Sequence, residues 1–182
     1  LYKRLHGCKL VHTFHTAPVA ALSPPAKLFF QSLLDQCDCV TFASKGLQNK
    51  VVEVDGLSFP RTAITYAGVS AREVSEQDIE QFREQYSIEE GAVVLLAQAM
   101  TAHPLKAEGL KLLLRAVSIL QEDHPDIILI MTREGRYSDE LRDFAHEAGV
   151  EAHVVFTGDV ENPFVPLKLC DIYVHTPLDE GG

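Results

Sequence analysis

Apolar, β-rich runs alternate with stretches of helical periodicity along almost the whole chain, and this alternation restricts the fold more than any other feature. Strand-helix-strand units of this kind build a mainly parallel sheet, so the pattern predicts an α/β fold. Lys9 to Thr16 reads as a strand. Pro24-Pro25 suit the start of a helix, with Leu28, Phe29, Leu33 and Gln36 expected on one face. Cys39 to Ala43 returns to strand character, and Lys45 to Val54 reads as a second helix. Ile64 to Val69 looks like a short strand running into a turn. Ser75 with Asp78 three residues on then forms a capping box for a helix carrying Ile79, Phe82 and Tyr86, and this stretch is the candidate linker.

A new unit begins with Ala92 to Ala97, whose small and branched apolar residues suit a buried parallel strand. Leu110, Leu113, Leu114, Val117 and Leu120 follow at helical spacing, and His124-Pro125 closes that segment before the strand Ile127 to Met131. Ser138 is expected to cap the next helix. Leu141, Phe144, Ala145 and Ala148 would line its inner face and Gly149 would stop it, ahead of a strand Val154 to Phe156. Leu167 to Cys170 leads into a fourth strand, Asp171 to His175. No internal repeat or low-complexity tract is visible.

Composition narrows the partners. With 182 residues of which 46% are hydrophobic, the chain can form one or two compact cores. A net charge of −10 argues against non-specific affinity for nucleic acid or an anionic bilayer. Cys8, Cys37, Cys39 and Cys170 show neither C-x-x-C spacing nor disulfide-scaffold density, which points to a reducing, cytoplasmic setting. Cys37 and Cys39 are expected to be buried separately rather than to act together. No apolar run reaches the roughly 18 residues of a membrane span, and the start lacks a signal peptide. Leu1 at the start, and Asp179-Glu180-Gly181-Gly182 directly after an apparent strand, suggest a fragment of a longer protein.

In open parallel sheets ligands gather at the carboxyl ends of the strands. The corresponding loops are Gln98 to Lys106, Thr132 to Tyr137, Gly158 to Val160 and Thr176 to Gly182, and they contain Lys106, Arg133, Glu134, Gly135, Arg136 and Glu180. Cations hold phosphate while carboxylates accept hydrogen bonds from sugar hydroxyls, so a nucleotide sugar fits the mixture. The same residues also populate ordinary solvent-facing loops. G-x-G-x-x-G, G-x-x-x-x-G-K-[ST] and G-x-S-x-G are all missing, which lowers the odds of a dehydrogenase, a P-loop ATPase or an α/β-hydrolase. No metal-ligand cluster is legible.

The ordered set Val11-His12-Thr13-Phe14-His15-Thr16, Tyr66-Ala67-Gly68-Val69-Ser70, His103-Pro104-Leu105-Lys106-Ala107-Glu108-Gly109-Leu110, Phe156-Thr157-Gly158, Cys170-Asp171 and Pro177-Leu178-Asp179-Glu180-Gly181 resembles the family-4 retaining glycosyltransferases of group 1. The bacterial phosphatidylinositol mannosyltransferases look similar around Thr13-Phe14-His15-Thr16. The resemblance implies a GT-B fold, in which two Rossmann-like domains with parallel sheets face a cleft. It makes residues 1–62 the carboxyl-terminal part of the acceptor-side domain and residues 63–182 a truncated donor-binding domain.

The resemblance also implies roles. Lys106 matches a lysine that binds the donor diphosphate, Glu180 a glutamate beside the donor sugar, and His15 a histidine that approaches the sugar from the amino-terminal domain. Gly135 matches a glycine that lets the donor approach the backbone of its loop. Gln98 stands where the family commonly has an arginine that makes a second diphosphate contact; it can donate hydrogen bonds but carries no charge, leaving Arg133 or Arg136 as alternative cations. The implied reaction moves a sugar from a nucleoside diphosphate to an acceptor hydroxyl with retention, without a cofactor or a metal. The acceptor is a glycan, a lipid or a small molecule, and the absent part of the protein leaves room for peripheral contact with the inner face of a membrane. A sugar-nucleotide epimerase and a non-catalytic sugar-nucleotide-binding relative are the alternatives, and this fragment alone is expected to be inactive.

Overall fold

The structure is a computed structural model that describes residues 3, 6–16, 22–98 and 100–178, apart from the side chain of Val54. The chain divides into two compact units between Val69 and Ser70. The first unit holds β1 (Val11–Phe14), α1 (Pro24–Leu34), β2 (Cys39–Phe42), α2 (Lys45–Asn49) and β3 (Thr62–Ile64). Its three strands are parallel in the order β1-β2-β3. The single helix expected over Lys45 to Val54 is α2 followed by a π-helical turn, Lys50–Val54. Because Val40, Thr41 and Phe42 pair with Thr62, Ala63 and Ile64, the chain stays with the first sheet beyond residue 62, and the division falls after the expected one.

The core of this unit is aromatic. Phe14 and Phe42 stack with ring centroids 5.3 Å apart, and Phe59 meets both rings edge-on. The helix α1 turns a different face inward from the one expected. Leu34 is buried and Phe30 packs against the core, whereas Leu28, Phe29 and Leu33 are exposed. Both rows recur at helical spacing, and hydrophobicity alone does not choose between them. Of the close cysteine pair, Cys37 is buried and Cys39 half-buried, and neither forms a disulfide.

The second unit is wound on both faces of a parallel sheet. Its elements are α3 (Glu76–Tyr86), β4 (Val93–Gln98), α4 (Pro104–Leu120), β5 (Ile127–Thr132), α5 (Ser138–Glu147), β6 (Val154–Gly158), α6 (Phe164–Leu169) and β7 (Ile172–Tyr173). The strand order is β6-β5-β4-β7. Alternation along β4 divides the core: Leu95 and Ala97 face α4 and α5, while Val94 and Leu96 face α3 and α6. The expected capping box is present, since the Ser75 hydroxyl accepts from the Asp78 N–H at 3.1 Å and the Asp78 carboxylate accepts from the Ser75 N–H at 2.8 Å. Gly149 takes a positive φ of 68° just past α5, as a helix stop requires. One expectation fails here. Ser138 is the first helical residue, its hydroxyl accepting from the Gly135 N–H instead of capping α5.

One device recurs in both sheets. Asp38 precedes β2, and its carboxylate accepts the Leu10 N–H at 2.7 Å while its own N–H donates to the Leu10 carbonyl at 2.8 Å. Asp171 precedes β7 and makes the same exchange with Val94, at 2.8 and 2.9 Å. Each aspartate therefore registers the amino-terminal end of a parallel pair. Lys3, whose ammonium lies 2.8 Å from Asp38, and the Leu10 amide hold the Asp38 carboxyl at a pKa of about 2.

At the opposite end of the second sheet, the segment after β7 is seated on α4. The Thr176 hydroxyl donates to the Gly109 carbonyl at 3.0 Å and the Leu178 N–H to the Leu105 carbonyl at 3.3 Å. A Cβ at Gly109 would lie 1.5 Å from the Thr176 carbonyl oxygen, so only glycine permits this seat.

Two outcomes are expected. Gly109→Ala should destabilise the protein by about 1–3 kcal/mol in urea unfolding, because backbone must move to admit the methyl group. Gly46→Ala should be neutral or stabilising, since there a Cβ would meet only the Ser44 hydroxyl at 3.9 Å. The pKa of Asp38 is depressed on folding, so its contribution is present above its unfolded value of about 4 and is lost as pH falls toward 2. Unfolding midpoints recorded from pH 5 down to pH 2 should fall less steeply for Asp38→Asn than for the wild type.

Candidate functional site

Consecutive strands β4, β5 and β6 step outward on one side of the sheet, and β7 is added on the other side of β4. The order reverses between β4 and β7, and in open α/β sheets the ligand crevice lies outside the carboxyl ends at such a point. Here that edge is built by the loops after β4, β5, β6 and β7, with the amino terminus of α4 rising from it.

Thr101 ties two of these loops together. It is 1% exposed, its hydroxyl donates to the Arg133 carbonyl at 3.0 Å, and its carbonyl accepts the Tyr137 N–H at 3.0 Å. Gly135 lies against it so closely that a Cβ would sit 2.5 Å from the Thr101 hydroxyl and 2.6 Å from its carbonyl carbon and oxygen. Ser138 closes the turn, exchanging hydrogen bonds with Gly135 at 2.9 and 3.0 Å. The Arg133 N–H donates to the Gly158 carbonyl at 2.6 Å and so joins the β6 loop to the same assembly.

The expected residues fall as follows. Lys106 occupies the first turn of α4, half-buried, and no side chain caps this helix, whose first helical residue is Pro104. Gln98 ends β4; its amide donates to the Pro163 carbonyl at 2.9 Å, and it lines a cavity of about 200 Å³ with Thr132, Arg133, Asp159, Val160 and Pro163. The space a side chain would need at Gly135 is taken by Thr101, so packing between loops accounts for the glycine. In the first unit, His15 follows β1 and is exposed. Glu180 lies outside the described residues.

Charge on this edge is unevenly paired. Arg142 holds Glu134 through two hydrogen bonds, at 2.8 and 3.1 Å, and keeps the Glu134 carboxyl below its ordinary pKa, with Ser138 assisting. Lys111 is engaged by Glu108 and Glu140, and Arg136 lies 5.9 Å from the Tyr137 ring. The Lys106 ammonium and the Arg133 guanidinium make no ion pair or hydrogen bond among the described residues. An anion would therefore find two cations that no carboxylate among the described residues pairs with. Among the described residues, no group of three or more His, Cys, Asp or Glu side chains is placed to hold a metal ion, and no helix is long and apolar enough to cross a membrane.

Sequence reasoning missed Thr101 and Gly109, on which the edge depends. Gly109 carried a signal: a glycine inside an otherwise strong helical pattern costs about 1 kcal/mol relative to alanine, which points to a close approach. Thr101 carried none, because its burial follows from contacts with residues more than thirty positions away.

Comparison with known proteins agrees with this architecture. Residues 78–182 match the family model of the glycosyl transferases group 1. The GDP-mannose-dependent alpha-(1-6)-phosphatidylinositol monomannoside mannosyltransferase of Mycolicibacterium smegmatis is 24% identical over 168 residues, which cover 91% of this chain and 43% of the relative. The Anabaena protein Alr3699/HepE, solved in complex with UDP, superposes with a TM-score of 0.79 at 19% identity, covering 97% of this chain and 49% of that one. A glycosyltransferase from Rickettsia africae ESF-5 gives 0.78 at 15% identity, covering 97% and 47%. The chain thus spans a little under half the length of these proteins and has the α/β architecture of half a GT-B enzyme. With more than half of its length in the family match, the chain belongs to the glycosyl transferases group 1.

Proposed function

We propose that the protein from which this chain derives transfers a sugar from a nucleoside diphosphate to an acceptor hydroxyl with retention of configuration, and that the part of the chain from Ser70 onward carries most of the donor site. The observation that carries this reading is Lys106: a cation without a partner among the described residues, in the first turn of α4 beside the β4/β7 switch point of a sheet that belongs to this family. The helix dipole and the ammonium both favour a diphosphate there.

Transfer breaks the bond between the anomeric carbon and the leaving phosphate oxygen and forms a bond from the acceptor oxygen on the same face. The leaving phosphate accepts the acceptor's proton. On this route the protein orients the two substrates and stabilises the charge that develops on the leaving group, and Lys106 is the residue assigned to that charge. Gly135 shapes the adjoining loop by lying against Thr101. His15 is assigned to a donor-sugar hydroxyl and Glu180 to the sugar itself, both on the resemblance. GDP-mannose, named for one relative, and UDP and UDP-glucose, bound in structural neighbours, are the first donors to test.

Calorimetric titration of the full-length protein with UDP-, GDP- and ADP-sugars tests the reading. One donor should bind, and Lys106→Ala should weaken it by about 1.5–3 kcal/mol, the scale of a hydrogen bond to a charged group. A folded wild-type protein that binds none of these donors would refute the assignment.

A further inference from the structure

Arg133 combines three features found together at no other described position. Its φ is 74°, in the left-handed region, where a residue with a Cβ is disfavoured. The other non-glycine residue with positive φ, Ser87, ends α3 in the ordinary left-handed cap conformation, whereas Arg133 follows a strand. Its conformation is imposed from both sides, since its N–H donates to the Gly158 carbonyl at 2.6 Å and its carbonyl accepts the Thr101 hydroxyl at 3.0 Å. Glycine or asparagine would satisfy the same backbone at lower cost.

The side chain at this strained position is long, cationic and exposed, with no internal partner among the described residues. Asp159 lines the same cavity but makes no ion pair with it. The neighbouring Arg142, by contrast, is engaged by Glu134 and Asp139. Strain retained at a strand end beside a ligand crevice, for a cation that pairs with nothing among the described residues, points to a partner outside the fold.

We propose that Arg133 is a second donor-phosphate ligand, whose guanidinium binds the diphosphate of the nucleoside diphosphate sugar from the β5 edge of the crevice. The assignment rests on the proposed donor-site function. A guanidinium can take two phosphate oxygens at once, so the left-handed backbone would serve to present this fork at the loop's outer surface.

Arg133→Gly separates the two roles, because it removes the cation and relieves the strain together. In the full-length protein it should unfold at an equal or higher temperature than the wild type, yet bind UDP or GDP, whichever the wild type prefers, about tenfold or more weakly. Binding of the free nucleoside should be unchanged, and Arg133→Lys should recover part of the lost affinity. Unaltered diphosphate affinity in Arg133→Gly, alongside a Lys106→Ala variant that is weakened, would overturn this assignment while leaving the donor-site reading intact. Equal losses for nucleoside and diphosphate would also overturn it, since they would place Arg133 at the base or in the loop's structure. A wild-type protein that binds neither diphosphate would overturn both.

Discussion

Both sheets depend on an aspartate placed just before a strand. In a parallel pair the two amino termini lie side by side, and no hairpin fixes their register, because the chain returns through a crossover. Asp38 and Asp171 supply that register by binding an N–H of the neighbouring strand through the carboxylate while pairing through their own backbone N–H. The device matters most at β7, whose ladder is only two residues long, Ile172 and Tyr173 against Leu95 and Leu96. The Val174 N–H extends the pairing to the Leu96 carbonyl, so β7 is held at both ends around a minimal centre.

With register fixed at the amino-terminal end, the carboxyl-terminal edge is organised by different means. Close backbone approach replaces charge: Gly109 admits the Thr176 carbonyl and Gly135 admits Thr101. These contacts join the loops through main-chain and hydroxyl groups and leave the cationic side chains of Lys106 and Arg133 outside the network. Such a division suits a site that must be rigid in shape yet available in charge. A lysine or arginine used to tie the loops together would not be free to meet a ligand.

The alternation of strands and helices was legible because it depends on local periodicity, although the strand expected over Ile64 to Val69 lies at Thr62–Ile64 and overlaps it only at Ile64. Which face of α1 turns inward was not legible. Leu28, Phe29 and Leu33 form a more hydrophobic row than Phe30 and Leu34, and only the position of the sheet decides between them. The Ser138 assignment failed for a related reason, since its hydroxyl completes a turn with Gly135 that no cap rule anticipates. Of the candidate site, Lys106 and Gly135 could be named from short motifs. Their supports, Thr101 and Thr176, are polar residues in loops, and their importance arises only when distant segments meet. Cys37-Asp38 and Cys170-Asp171 offered a signal that went unread, because two residues are too few to register as a repeat, although the same dipeptide precedes a strand in each sheet.

For an acidic chain proposed to bind an anionic donor, the net charge poses an electrostatic question. The net charge of −10 would repel a diphosphate at long range if it acted unscreened. At physiological ionic strength the Debye length is about 8 Å, so charges beyond the immediate surroundings of the crevice contribute little. Local pairing therefore matters more than the total. Glu134 and Asp139 are engaged by Arg142, and Glu108 and Glu140 by Lys111, which blunts the carboxylates closest in sequence to Lys106 and Arg133. Those pairs are exposed and each contributes little to stability. Their larger effect is on the local field, because they neutralise the acids nearest in sequence to Lys106 and Arg133, while Asp159, just after β6, stays unpaired among the described residues.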